Sequence, residues 1–210
     1  MFRDRIEAGL LLAAKLKKYR NDPGIVLAVP RGGVPVAYAV ANELGFPIEV
    51  ILTKKIGHPF NKEYAIGAAS LTDYFVIPHE NVSDEYIQNE LRRIRSRLKE
   101  MQARFMDDRE PESLQGKTVI VIDDGIATGN TLLSTVQVLR KGKPGKIVIG
   151  VPVAPKSAVQ KLSKEVDEVV AVLIPDEFYG VGAFYENFEQ VTDEEVMFYL
   201  DKLRELKKAG

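Results

Sequence analysis

Four short, unbroken runs of apolar and β-branched residues restrict the fold of this chain more than any other feature. They are Ile25 to Val29, Thr118 to Asp123 (whose last residue is already acidic), Lys146 to Val153 and Glu168 to Ile174. A strand with one wet face alternates apolar and polar residues, whereas these runs stay apolar at successive positions, as a strand covered on both faces must. Stretches with helical spacing lie between them: Val34 to Leu44, closed by Gly45, then a helix ending near Lys141 and another at Lys156 to Lys164. Strands that alternate with helices imply right-handed crossovers and a parallel sheet, so the expected class is α/β. At 210 residues the chain is long enough to bury roughly 70% of its unfolded surface in one core. A single domain over residues 1–210 is therefore expected.

The remaining segments fill in around that frame. Asp4 to Tyr19 reads as a helix, with Asp4 and Glu7 spaced as a capping box and Lys15, Lys17 and Lys18 at its negative end. Ile48 to Ile56 reads as a further strand ending in Lys54 and Lys55. It is followed by a polar loop, Gly57 to Glu63, and strand-like pieces at Ala65 to Leu71 and Tyr74 to Ile77. Ser83 caps a long helix to about Met106, in which Ile87, Leu91, Ile94, Leu98, Met101 and Phe105 form one apolar stripe. Its opposite face is basic, with Arg92, Arg93, Arg95, Arg97 and Lys99. A polar connector runs from Asp107 to Gly116, an aromatic loop from Phe178 to Phe188, and a last helix starts at a Thr192/Glu195 capping box.

Composition removes several kinds of chemistry. Cysteine is absent, which excludes disulfides, thiolate catalysis and cysteine-held zinc. The two histidines, His58 and His79, stand in unrelated contexts, so a histidine metal cluster is not expected and both read as surface loop residues. Lys plus Arg, 29, nearly balances Asp plus Glu, 30, leaving no overall attraction to nucleic acid or an acidic membrane. The apolar patch Gly9 to Ala14 is too short to span a bilayer. A cytoplasmic protein is the expectation, with small-molecule partners, no membrane and no nucleic acid.

In an open parallel sheet, ligands bind beyond the carboxyl ends of the strands. Three expected strand ends carry unusual residues: Pro30-Arg31-Gly32-Gly33, Lys54-Lys55, and Asp123-Asp124 with the loop Gly125, Ile126, Ala127, Thr128, Gly129, Asn130, Thr131. The last is the most informative. Gly129, between Thr128 and Asn130 at the entry to a helix, lets several amide N–H groups turn toward one point, where the helix terminus adds partial positive charge. With the hydroxyls of Thr128 and Thr131, that is a cradle for phosphate. It lacks the Gly-Lys-Ser/Thr ending of a P-loop, so an ATPase is not indicated. Two carboxylates beside a phosphate cradle would repel the phosphate unless they hold something neutral or cationic, and sugar hydroxyls or a magnesium ion meet that need. Ribose plus phosphate suits both halves of the loop.

The stretch VIVIDDGIATGNT resembles the signature of the type I phosphoribosyltransferases, an apolar strand leading to two acids and a T-G-x-T-like turn. VPRGGVPVA resembles the family's pyrophosphate loop, and LTKKIGHPFNKEYAIGAAS its second strand and mobile loop. The likeness is greatest to a bacterial and archaeal branch of the family. It implies a Rossmann-like parallel sheet flanked by helices, with a small C-terminal hood, and transfer of ribose 5-phosphate from 5-phosphoribosyl-1-pyrophosphate (PRPP) to a base, with pyrophosphate released. Such activity belongs to nucleotide metabolism and to purine or pyrimidine salvage. Asp123 and Asp124 would meet the ribose hydroxyls, with Asp124 in a catalytic role. Ala127 to Thr131 would hold the 5-phosphate, while Arg31, Gly32 and Gly33 would meet the pyrophosphate across a cis peptide at Pro30–Arg31. Lys55, with Lys54 as second choice, would reach it too. Magnesium would be held mainly through PRPP, with Asp123 and Asp124 as its candidate protein ligands. Gly57 to Glu63 would form a lid, and a homodimer is common in the family.

Two departures narrow the acceptor. Purine-salvage members acting on hypoxanthine or guanine carry an Asp where this chain has Ala127, which weighs against that class. In the hood, Pro175 to Phe188, the rings of Phe178, Tyr179, Phe184 and Tyr185 either stack on a planar base or belong to the core or a dimer contact. A PRPP- or nucleotide-sensing regulator that kept the fold without the reaction is the alternative function, and the basic helix is the one feature that favours it. Alone, Pro30 to Gly33 also fits a tight strand-to-helix turn, and Lys54-Lys55 a solvated strand end.

Overall fold

A computed structural model describes residues 1–79, 81–106 and 111–208. The stretch 107–110 of the expected polar connector lies outside the described residues. In chain order the elements are α1 (Arg5–Leu16), β1 (Gly24–Ala28), α2 (Gly33–Leu44), β2 (Ile48–Val50), β3 (Lys54–His58), β4 (Asn61–Ala69), β5 (Tyr74–Val76), α3 (Asp84–Met106), β6 (Thr118–Ile122), α4 (Asn130–Lys141), β7 (Lys146–Val153), α5 (Lys156–Leu162), β8 (Glu168–Leu173) and α6 (Asp193–Lys208). They form two compact units, one of Met1–Ile51, Leu114–Gly129 and Pro144–Gly210, the other of Leu52–Ser113 and Asn130–Lys143.

The first unit holds the parallel sheet, in the order β2-β1-β6-β7-β8. β1 and β6 run in register from Gly24 beside Thr118 to Ala28 beside Ile122. The apolar runs supply the interior as expected: Ile25, Ile120, Ile122, Ile147 and Ile149 are all fully buried. The sheet grows one way from β1 to β2 and the other way from β6 through β8, so the order reverses between β1 and β6. That reversal opens a crevice past the carboxyl ends of these two strands.

Local signals set the helices of this unit. The Asp4 carboxylate caps α1 by accepting the Glu7 N–H at 2.8 Å, while Glu7 reaches back one residue further than a capping box would, to the Arg3 N–H at 2.6 Å. α1 and α2 cross closely at Gly9, where a Cβ would lie 2.7 Å from that of Ala39. α6 opens with the full reciprocal box: Glu195 N–H to the Thr192 hydroxyl at 3.2 Å, and Thr192 N–H to the Glu195 carboxylate at 2.8 Å.

The second unit contains an antiparallel sheet, β3-β4-β5, with α3 and α4 packed on it. Here the structure corrects the single strand expected from Ile48 to Ile56. The chain leaves the parallel sheet after Val50, making a last backbone bond from Ile51 N–H to the Ala28 carbonyl at 2.8 Å, and begins a new strand at Lys54. Ile51 and Leu52 stay buried within the break and Ile56 beyond it, so the polar run Thr53-Lys54-Lys55 reads as the end of one strand and not as the start of another. The expected loop at Gly57 to Glu63 is in fact a hairpin with only Pro59 and Phe60 at its turn.

That hairpin also corrects the placing of the histidines. The rings of His58 and His79 lie 5.9 Å apart, edge to face, and Tyr64 stands 6.2 and 5.8 Å from them. The hairpin and the segment after β5 bring together what the sequence keeps twenty-one positions apart. On α3, Ile87, Leu91, Ile94, Leu98 and Phe105 are buried as the stripe requires, with Met101 half-buried. Its basic face is partly engaged: Arg92 bonds Asn89, Arg93 bonds Glu90 and Arg95 bonds the Thr72 carbonyl. Among the described residues, no helix is long and apolar enough to cross a membrane.

Ile120→Ala removes a side chain that is 0% exposed at the centre of the sheet and should cost roughly 2–5 kcal/mol. Phe60→Ala removes one that is 83% exposed at the hairpin turn, and should stay within about 0.5 kcal/mol of wild type. Denaturant unfolding of the two variants checks the assignment of core and surface.

Candidate functional site

The loops that follow β1 and β6 lie side by side in the first unit. The peptide between Pro30 and Arg31 is cis, as the sequence resemblance implied. Gly32 then caps α2, and Gly33 begins it. A Cβ on Gly32 would fall 2.1 Å from Oδ2 of Asp124, and one on Gly33 would fall 2.7 Å from the carbonyl oxygen of Ile122. Real Cβ contacts are not that short, so Gly33 is required by the backbone lying against it, and a side chain at position 32 would displace the Asp124 carboxylate. The N–H of Gly33, a residue the resemblance sets against the pyrophosphate, is bonded to the Val29 carbonyl at 3.0 Å.

Asp123 and Asp124 follow the last residue of β6. The Asp124 N–H donates to Oδ1 of Asp123 at 2.9 Å, so the first carboxylate fixes the backbone of the second. Oδ2 of Asp124 accepts from Nε of Arg5 at 2.9 Å in a pair whose side chains are 11% and 15% exposed. Burial, and next the Asp124 charge, hold the Asp123 carboxyl well above the ordinary carboxylate range. Burial also raises Asp124, with Arg5 pulling in the opposite direction. Arg5 itself is oriented by the Glu189 carbonyl at 2.8 Å and lies over the Phe188 ring at 4.0 Å.

Of the loop residues singled out from the sequence, Gly125 packs against Val181, leaving no room for a Cβ, which would be 2.4 Å from a Val181 methyl. Ile126 is not part of an anion cradle: its side chain is buried and its N–H bonds the Val153 carbonyl at 2.9 Å. The exposed residues are Ala127 and Thr128, followed by Asn130 and Thr131 in the first turn of α4. Gly129 has φ of 73°, a left-handed conformation that favours glycine and reverses the chain into the helix.

Arg31 is half exposed and pairs through Nε with Oδ1 of Asp193, 2.7 Å away in the first turn of α6. Lys54 and Lys55 are not at the end of a parallel strand; they open β3 in the second unit. The hood residues divide. Phe178 and Phe184 stack at 5.7 Å with 20° between their planes, and Tyr179 is 80% exposed. Tyr185 is buried, which removes it from any base-stacking face: its ring packs on Phe2 at 5.3 Å and Phe188 at 5.0 Å, and its hydroxyl donates to the Asp124 carbonyl at 2.7 Å. Burial and the nearby Asp124 charge push that phenol above its usual range.

Sequence reading missed Arg5, Asp193 and Val181 as neighbours of the site. Arg5 and Asp193 occupy first turns of helices, where a charged residue is ordinary, and no spacing links them to residues 31 or 124. For a metal, the donor set is small. Among the described residues no group of three or more His, Asp or Glu side chains could hold an ion. A magnesium ion that keeps its waters needs only one or two carboxylates plus substrate oxygens, and the Asp123–Asp124 pair fits that much.

A family model described as phosphoribosyl transferase domain matches residues 5–188. Two curated relatives, from strains of Mycobacterium tuberculosis and each named "Putative phosphoribosyl transferase", are 37% identical over 216 residues, covering 100% of this chain and 49% of theirs. The chain thus spans about half the length of these relatives. A crystal structure of a protein from Thermus thermophilus superposes with a TM-score of 0.88 at 37% identity, covering 97% of this chain and 99% of its own. A Neisseria gonorrhoeae protein shares the fold at a TM-score of 0.51 and 15% identity, covering 100% of this chain and 98% of its own.

The desolvated acid pair has a consequence for stability. A carboxyl whose pKa is raised in the folded state binds more protons folded than unfolded, so its contribution falls as pH rises above the ordinary Asp value of about 4. Asp123→Asn keeps the oxygen that accepts the Asp124 N–H and removes the buried charge. In metal-free buffer it should melt several degrees above wild type at pH 7, and the two melting curves should converge as the pH falls below about 4.

Proposed function

The chain belongs to the phosphoribosyl transferase domain family, and from that premise we propose that it transfers ribose 5-phosphate from PRPP to a nitrogenous base, releasing pyrophosphate in a magnesium-dependent reaction. The observation that carries this is the contact between Gly32 and Asp124, which sets a cationic loop and an acidic loop at the ends of adjacent parallel strands.

In this proposal Asp123 and Asp124 accept hydrogen bonds from the ribose hydroxyls. Ala127, Thr128 and Gly129 enclose the 5-phosphate with amide and hydroxyl donors. Departure of pyrophosphate builds positive charge at the anomeric carbon and negative charge on the leaving group. Arg31, released from Asp193, meets the second of these, and Gly32 lets the backbone come near it. A ring nitrogen of the acceptor attacks the face opposite the leaving group. No covalent intermediate is required. The stacked pair Phe178 and Phe184, with Tyr179 beside them in sequence, offers aromatic faces for a planar base. Asp123 and Asp124 would be the protein ligands of a magnesium ion held mainly by PRPP oxygens, and that ion would supply charge neutralisation on the pyrophosphate. Lys54 and Lys55 carry no part of this proposal, since they open β3 and do not stand at the end of a parallel strand.

Calorimetry with Mg–PRPP, followed by pyrophosphate release with adenine, uracil, xanthine and orotate, tests the activity and names the acceptor. Binding followed by release with one of these bases is expected. Binding with no release on any acceptor would favour a PRPP sensor, and no binding would overturn the proposal. Arg31→Met should weaken Mg–PRPP roughly 10-fold or more, the effect of losing one charge-assisted contact, with thermal stability close to wild type because the Asp193 pair is partly exposed.

A further inference from the structure

Asp124 is held more completely than sugar binding alone would require. Its Oδ2 lies between Nε of Arg5, at 2.9 Å, and the backbone of Gly32, where a Cβ would come within 2.1 Å. Its carbonyl accepts the Tyr185 hydroxyl at 2.7 Å and its N–H is taken by Asp123 at 2.9 Å. The guanidinium that pairs with it is fixed in turn by the Glu189 carbonyl at 2.8 Å and by the face of Phe188 at 4.0 Å. Phe188 stacks near Tyr185 at 5.0 Å, so one connected cluster orients both the main chain and the side chain of this acid.

We propose that Arg5 is a positioning residue for ribose recognition: it occupies Oδ2 of Asp124 and sets the rotamer in which Oδ1 meets a sugar hydroxyl. This rests on the PRPP reading of the site given above. The acid has more than one staggered rotamer, and without a partner its oxygens would sample several directions. A single direct bond from a guanidinium whose own two anchors, Phe188 and Glu189, come from the end of the hood and the residue after it fixes that choice before substrate arrives. The entropy of ordering the carboxylate is then borne by folding and not by binding. Arg5 touches no reacting atom in this account and acts only through Asp124.

A purely structural ion pair between α1 and the sheet end is the competing explanation, and Arg5→Met with Arg5→Lys separates the two. Mg–PRPP affinity is measured by calorimetry and melting temperature by calorimetric scan for wild type and both variants. Arg5→Met should weaken Mg–PRPP roughly 10- to 100-fold, more than any change in melting temperature explains, and Arg5→Lys should recover most of the loss by restoring a charged donor. If Arg5→Met does not fold, Arg5→Gln, which retains a donor without charge, is judged by the same criterion. Wild-type affinity in a variant lacking the cation would overturn the inference while leaving the PRPP site intact. A loss of affinity that follows melting temperature in both variants would overturn it too. Failure of the wild type to bind Mg–PRPP would overturn the functional proposal itself, and this inference with it.

Discussion

The approach of Gly32 to Asp124 is the contact on which the rest of the site depends. Two neighbouring strands of a parallel sheet, β1 and β6, end at the same level, and each must turn into a loop within the same crevice. A side chain at position 32 would displace the Asp124 carboxylate and with it the Arg5 pair. The glycines of the first loop therefore serve the packing of one loop on another. Gly125 extends the arrangement by admitting Val181 of the hood segment.

Charge follows the same economy of space. A carboxylate removed from water is unfavourable unless it is paired and hydrogen-bonded. Asp124 has Arg5 as its partner and Arg31 is matched by Asp193, while the amide that Asp123 accepts offsets only part of the cost of its burial. Binding of PRPP, as proposed, is then an exchange. Arg31 trades Asp193 for a polyanion, and the acids receive hydroxyl donors. The counter-charges come from α1 and from the first turn of α6, so the two ends of the chain both contribute to a site whose signature lies in its middle.

Much of this was legible in the sequence because the informative patterns are local. Continuous apolar runs located β1, β6, β7 and β8, and the Thr192/Glu195 spacing placed the start of α6 where both capping bonds are found. The acid-rich loop could be read because strand, carboxylates and glycine turn are contiguous. What failed was what depends on pairing at a distance. Between Ile48 and Ile56 the polar run Thr53-Lys54-Lys55 stands where the chain changes sheets, but a strand's polar end and a new strand's start look alike in sequence when buried residues lie on both sides. His58 and His79 meet only because the hairpin and the segment after β5 bring them together. Arg5 and Asp193 look like ordinary first-turn residues until the fold sets them against Asp124 and Arg31. Tyr185 resembled its neighbours in an aromatic stretch, yet an isolated bridge between Phe2 and Tyr185 turns it inward.

The most direct test is a crystal structure with ribose 5-phosphate. The account predicts phosphate density against the amides of Ala127, Thr128 and Gly129, with the ribose hydroxyls within hydrogen-bonding distance of Asp123 and Asp124. A well-ordered ligand bound elsewhere on the chain, with the Asp123–Gly129 loop unvisited, would contradict it.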